Sequence, residues 1–131
     1  MKNVATNSEQ SQALLDSGID PNTASMCHFV FGVRGTCGCT LVARSYTFMV
    51  RDHAVMKQSC IPAWTLEDLI ALLPEEITAT WTLSIGKTDI SYISIDPKRF
   101  APVRCWRKFE GDTLLDAAVK AIVELRKDKR M

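Results

Sequence analysis

Two hydrophobic periods divide this sequence. Trp81, Leu83 and Ile85 alternate with Thr80, Thr82 and Ser84, the two-residue repeat of a strand with one buried face. Gly86-Lys87-Thr88-Asp89 turns the chain, and Ile90 to Ile95 returns with Ser91 and Ser94 among apolar positions, so the pair predicts a hairpin. Asp96-Pro97-Lys98-Arg99 is a further turn, after which Val103, Cys105, Arg107 and Phe109 fall on one face of another predicted strand. Nearer the start, Phe29, Phe31 and Val33 are interleaved with Val30 and Gly32, and Leu41, Val42, Tyr46, Phe48 and Val50 continue the β-branched and aromatic weight. Gly35-Thr36-Cys37-Gly38-Cys39 separates these runs as a Gly-rich hairpin connection. In residues 52–60 the segment closest to a strand is Val55-Met56-Lys57.

The second period is helical, and its segments carry their own ends. In Ile61 to Pro74, Thr65 is placed to cap the amide of Asp68 while Asp68 reaches back to the amide of Thr65. Trp64 precedes the cap as a hydrophobic staple for Leu69, and Pro74 stops the run, which predicts a helix from Leu66 to about Leu73. Thr113 and Asp116 form a second capping box before Leu114, Leu115, Ala118, Val119, Ile122, Val123 and Leu125, a broad apolar stripe. Lys127, Lys129 and Arg130 suit the negative end of that helix. A shorter first helix is expected with Thr6 and Glu9, or Ser8, as its cap, presenting Ala13, Leu14 and Leu15. Gly18 is its left-handed terminator and Ile19 packs back on it. Asp20-Pro21-Asn22-Thr23 then predicts one capped turn.

These elements predict an α+β fold: a single domain over residues 8–131, with a largely antiparallel sheet packed by two to three helices in the order α-β-β-α-β-β-β-α. Residues 1–7, which are mostly polar, are expected to form a loose segment. The chain has 131 residues, 47% of them hydrophobic and 24% charged, which suits a globular domain with a real core. Net charge is +1, so no global field steers it to nucleic acid or to a membrane. Met1 to Gln12 has one Lys and no apolar core of a signal peptide, and no run reaches the roughly 18 apolar residues of a membrane span. With five cysteines, an odd number, the expectation is a cytoplasmic protein with reduced thiols.

The corner Gly18-Ile19-Asp20-Pro21-Asn22-Thr23-Ala24 resembles segments in a set of small uncharacterised proteins from phage and mobile elements of gut bacteria. Pro62-Ala63-Trp64-Thr65-Leu66 with Leu72-Leu73-Pro74, and the helix around Asp116-Ala117-Ala118, are similar to that set as well. The resemblance covers about half the chain and lies in caps, corners and helix faces. Because the set has no established activity, it implies no catalytic residue. Its members carry a tyrosine-rich or acidic middle where this chain has the Gly/Cys hairpin.

Five constellations could carry chemistry. Cys27, His28, Cys37 and Cys39, with Cys60 nearby, offer the thiolate and imidazole ligands that zinc prefers, but a single Cys-x-Cys is a sparse signature, and small buried thiols beside a Gly-rich turn explain it as well. A cysteine nucleophile at Cys60 or Cys105 would need His53 or His28 as its base and a third group to orient it. Gly32 to Gly38 matches neither phosphate-binding fingerprint and suits a hairpin. The acidic run Glu67, Asp68, Glu75 and Glu76 suits helix caps and a solvated end.

The basic strand is the strongest candidate. Arg99, Arg104, Trp106, Arg107 and Lys108 fall close together, and simple alternation puts Arg104, Trp106 and Lys108 on one face. Arg and Trp are typical anchors of protein interfaces, and the same groups can bind phosphates and stack a base. The alternative is a solvated face with Trp106 lying on the stems of its basic neighbours. The sequence therefore predicts a non-enzymatic protein-interaction module without a cofactor, using Arg104, Trp106, Arg107 and Lys108. A nucleic-acid-binding module using strand 99–108 and a small zinc domain through Cys37 and Cys39 are the alternatives.

Overall fold

The structure is a computed structural model, which describes residues 4–33, 36–42, 45, 60–96, 98 and 101–131. It is an α+β protein with two antiparallel sheets. The chain divides into two compact units, residues 1–68 and 69–131.

In the first unit, helix α1 (Ser8–Asp16) and a 3-10 turn (Pro21–Thr23) precede strands β1 (Met26–Val33), β2 (Thr36–Val42) and β3 (Cys60–Ala63). The sheet order is β2-β1-β3. Helix α1 is capped by Asn7, not by Thr6 or Ser8 as expected: the Asn7 side chain accepts from the Gln10 amide at 2.8 Å, and Gln10 Oε1 accepts from the Asn7 amide at 3.1 Å. Thr6 is occupied elsewhere. Its hydroxyl lies 2.8 Å from Ser11 Oγ and accepts from the Trp64 amide at 3.0 Å, while its own amide donates to the Trp64 carbonyl at 2.9 Å. Thr6 and Ser11 are fully buried, so the inner face of α1 carries Ser11 with Leu14, and the expected face of Ala13, Leu14 and Leu15 is only partly right. Within the N-terminal segment expected to be loose, Ala5 bridges Thr65 and Thr6 is locked in this network.

The helix closes as its sequence predicts. Gly18 takes φ 87°, and the amides of Gly18 and Ile19 donate to the carbonyls of Leu15 and Leu14. Asp20 caps the 3-10 turn through the Asn22 amide at 2.9 Å. The hairpin connection is tighter than expected: β2 begins at Thr36, with Gly32 opposite Cys37 and Val30 opposite Cys39. Both cysteines therefore belong to the strand backbone and not to the turn. Residues 60–63 form β3, paired to β1 with Phe29 opposite Cys60. Tyr46, Phe48, Val50, the strand expected near Val55 to Lys57, and His53 lie outside the described residues.

Helix α2 (Leu66–Leu72) starts with the expected reciprocal box. Asp68 Oδ2 accepts from the Thr65 amide at 3.0 Å, and Thr65 Oγ1 accepts from the Asp68 amide at 3.2 Å. The same carboxylate oxygen also accepts from the Ser25 amide at 2.9 Å and the Ser25 hydroxyl at 2.6 Å, which fastens the entry to β1 onto the cap. Burial pushes the Asp68 pKa up, but the hydrogen bonds from Ser25 and Thr65 outweigh it and hold the carboxyl below its ordinary value.

The second unit holds β4 (Glu76–Ile77), β5 (Trp81–Ile85), β6 (Asp89–Asp96), β7 (Ala101–Glu110) and helix α3 (Leu114–Lys127), with sheet order β4-β5-β6-β7. The β5–β6 hairpin appears where the alternation predicts it. Strand β4 has no counterpart in the sequence pattern. It joins β5 through Thr78 and Ala79, both at positive φ (54° and 58°), with the Thr80 amide donating to the Ile77 carbonyl. That left-handed pair has the geometry Asn-Gly usually supplies, so Thr-Ala gives no warning of a turn. Helix α3 packs on β6 and β7, burying Leu115, Ala117, Ala118, Val119, Ala121, Ile122 and Leu125 against Ile90, Tyr92 and Phe109 of the same unit. Each fully buried Leu or Ile stabilises the unit by about 1.5–3 kcal/mol. Thr113 accepts from the Asp116 amide at 3.2 Å and so caps α3. Just before it, a Cβ on Gly111 would lie 2.8 Å from the Ala117 amide nitrogen, so only glycine fits this approach.

Candidate functional site

Strand β7 does not alternate simply. Tyr92 faces Arg107 but Ile93 faces Cys105, so Trp106 is an extra residue in the ladder; Ser94 faces Arg104 but Ile95 faces Pro102, so Val103 is a second one. The first irregularity re-aims the side chains. Tyr92 and Ser94 lie on one face of β6, which puts their partners Arg107 and Arg104 on that face too. Lys108, opposite Ser91, and Cys105, opposite Ile93, are on the other face. The expected faces, with Arg104, Trp106 and Lys108 together and with Cys105 beside Arg107 and Phe109, are therefore corrected by the extra residue at Trp106.

Trp106 sits on the face of Tyr92. Its ring stacks on Trp81 at a centroid distance of 6.3 Å with 25° between planes, and meets Tyr92 edge-on at 6.3 Å. Three guanidiniums lie over these indoles: Arg104 is 5.4 Å from the Trp81 centroid, and Arg107 and Arg130 are 4.9 and 5.3 Å from the Trp106 centroid. Such contacts are worth about 0.5–1 kcal/mol each at exposed positions. Tyr92 forms a fixed floor. It is fully buried, its hydroxyl donates to the Pro74 carbonyl at 2.8 Å, and burial pushes its pKa up to about 12.

The end of α3 completes the group. The Lys129 amide donates to Arg126 and the Arg130 amide to Leu125, with Lys129 at φ 57°. This is the reversal glycine normally makes, and it turns Arg130 back toward β7, where its guanidinium lies over Trp106. Asp128 forms an ion pair with Arg107. Among the described residues, no ion pair is formed by Arg104 or Arg130. Both are exposed, whereas Trp81 and Trp106 are half-buried. Lys108 pairs with Glu110 at 3.1 Å on the opposite face, and the hydrogen bond and charge of Glu110 raise its pKa.

Of the expected binding residues, Arg104, Trp106 and Arg107 thus come together and Lys108 does not. Trp81, Arg130 and Asp128 join them. Trp81 was legible as an aromatic at an inward-alternating position of β5; Arg130 had no comparable signal, because its placement depends on how α3 ends.

The thiol and imidazole set is divided. The Cys27 thiol is fully buried and hydrogen-bonded to that of Cys60; burial first, then Cys60, pushes its pKa up to about 12. Burial also raises that of Cys60, the larger influence against the opposing bond from Cys27. A protonated, enclosed thiol is a poor nucleophile. His28 Nε2 is 2.7 Å from the Thr6 carbonyl, so that nitrogen donates. Among the described residues, no group of three His, Cys, Asp or Glu side chains is placed to hold a metal ion. The side chains of Cys37 and Cys39 lie outside the described part, as do residues 34 and 35 of the glycine-rich connection. No described helix is long and apolar enough to cross a membrane.

No protein-family model, curated protein or solved structure matches this chain.

Proposed function

We propose that the protein is a small non-enzymatic protein-interaction module, with the ladder of Arg104, Trp81, Trp106, Arg107 and Arg130 as its contact surface. One observation carries the reading: two half-buried indoles are braced by three arginines, and two of those arginines have no ion-pair partner among the described residues. Rigid aromatic groups with Arg beside them concentrate binding energy in protein interfaces. Nucleic-acid recognition by stacking asks for open aromatic faces, whereas here guanidiniums already lie over both indoles. An origin in a phage or mobile element belongs to the same reading and rests on the shared corner and cap motifs.

The test is affinity capture on the immobilised protein, comparing wild type with Arg104→Glu and Trp106→Ala after circular dichroism has established that each variant is folded. A protein retained by wild type and lost with both variants is the expected result. Retention that is indifferent to both substitutions in folded protein refutes the surface.

A further inference from the structure

We infer that the ladder accepts an acidic peptide segment, whose carboxylates take the outward edges of Arg104 and Arg130. This rests on the interaction-module reading and specifies its partner. The evidence is a local charge imbalance within a nearly neutral chain. Arg104, Arg107 and Arg130 gather around the indoles against Asp128, while the whole protein carries only +1.

The arginines divide by role. Arg107 is already matched by Asp128, with 37% and 35% of the two side chains exposed, and it holds the end of α3 against the sheet. Arg104 and Arg130 hold their guanidinium carbons over indoles, 5.4 and 5.3 Å from the ring centroids, and form no ion pair among the described residues. A guanidinium held over an indole by the ring's π-face still has N–H groups to offer a ligand. A carboxylate is the planar, two-oxygen group that a guanidinium fork binds with paired hydrogen bonds. Arg107 and Asp128 already form a guanidinium–carboxylate ion pair on the same surface, through Nη1 and Oδ2. A base offers little here, because the ring faces it would stack on are covered.

The experiment is fluorescence anisotropy with a labelled repeat of Glu and Gly at low ionic strength, with labelled oligothymidylate of matched charge as competitor class. The peptide is expected to bind wild type, and Arg104→Gln and Arg130→Gln are each expected to weaken it by about fivefold to tenfold. Lys108→Gln, on the opposite face, is expected to leave it unchanged. Equal loss with Lys108→Gln overturns the inference, because binding would then follow overall charge. Tighter binding of oligothymidylate through the same arginines overturns it in favour of nucleic acid. No peptide binding at low salt also overturns it. The interaction-module reading falls separately, only if capture is indifferent to both Arg104→Glu and Trp106→Ala.

Discussion

Replacing Asp68 with Ala removes an acceptor that serves two parts of the first unit at once. One oxygen takes the Ser25 amide, the Ser25 hydroxyl and the Thr65 amide. The Thr65 bond is half of the α2 capping box, worth about 1 kcal/mol. Hydrogen bonds to a charged acceptor contribute about 1.5–3 kcal/mol when shielded, but Ser25 is exposed and water can replace much of what its donors lose. The expected total is therefore about 2 kcal/mol, measured by urea denaturation at neutral pH. The pH dependence gives an independent check. The folded-state pKa of Asp68 lies below its unfolded value, about 3.9 for an aspartate. The stabilisation is thus complete above the unfolded value and lost as pH falls through the folded one. The gap between wild type and Asp68→Asn should narrow on acidification across that window. A loss below about 0.5 kcal/mol for Asp68→Ala, or a wild-type-to-Asn gap that does not change with acid, would refute the reasoning.

Two further substitutions test other parts of the structure. Thr6→Val keeps the shape but removes the hydroxyl that meets Ser11 and accepts from the Trp64 amide, and should cost about 1–3 kcal/mol in chemical denaturation; a neutral result would mean that the N-terminal segment is not held by this network. Ala79→Gly relieves a positive φ and should stabilise the second unit by about 0.5–1 kcal/mol in thermal unfolding, whereas a loss of stability would contradict the left-handed geometry of the β4–β5 turn.

The parts of the fold legible in the sequence are those fixed by residues a few positions apart. Thr65 with Asp68, Thr113 before α3 and Gly18 after α1 act within one turn of helix, so spacing alone locates them. The strand alternation around Trp81 is equally local. The contact surface is different in kind. Its form depends on an extra residue at Trp106, and a run of ten strand residues gives no sign of where the ladder gains one. Reading β7 as a plain strand therefore put Lys108 on the wrong face. Ser25 meets Asp68 across 43 positions, and Thr6 meets Trp64 across 58, so neither left a local pattern. Asn7 displaced Thr6 as the α1 cap for the same reason: the threonine hydroxyl was already committed to a distant partner.

The chain's three tryptophans allow the most direct test of the contact surface. Trp64 is fully buried, with its indole N–H donating to Thr23 at 2.8 Å, and provides an internal reference. Trp81 and Trp106 form the ladder. Titrating isotope-labelled protein with the Glu-Gly repeat and following the indole N–H resonances should move the Trp81 and Trp106 signals together while Trp64 stays in place. Saturating peptide that leaves Trp81 and Trp106 unmoved, or that shifts all three alike, would contradict the account.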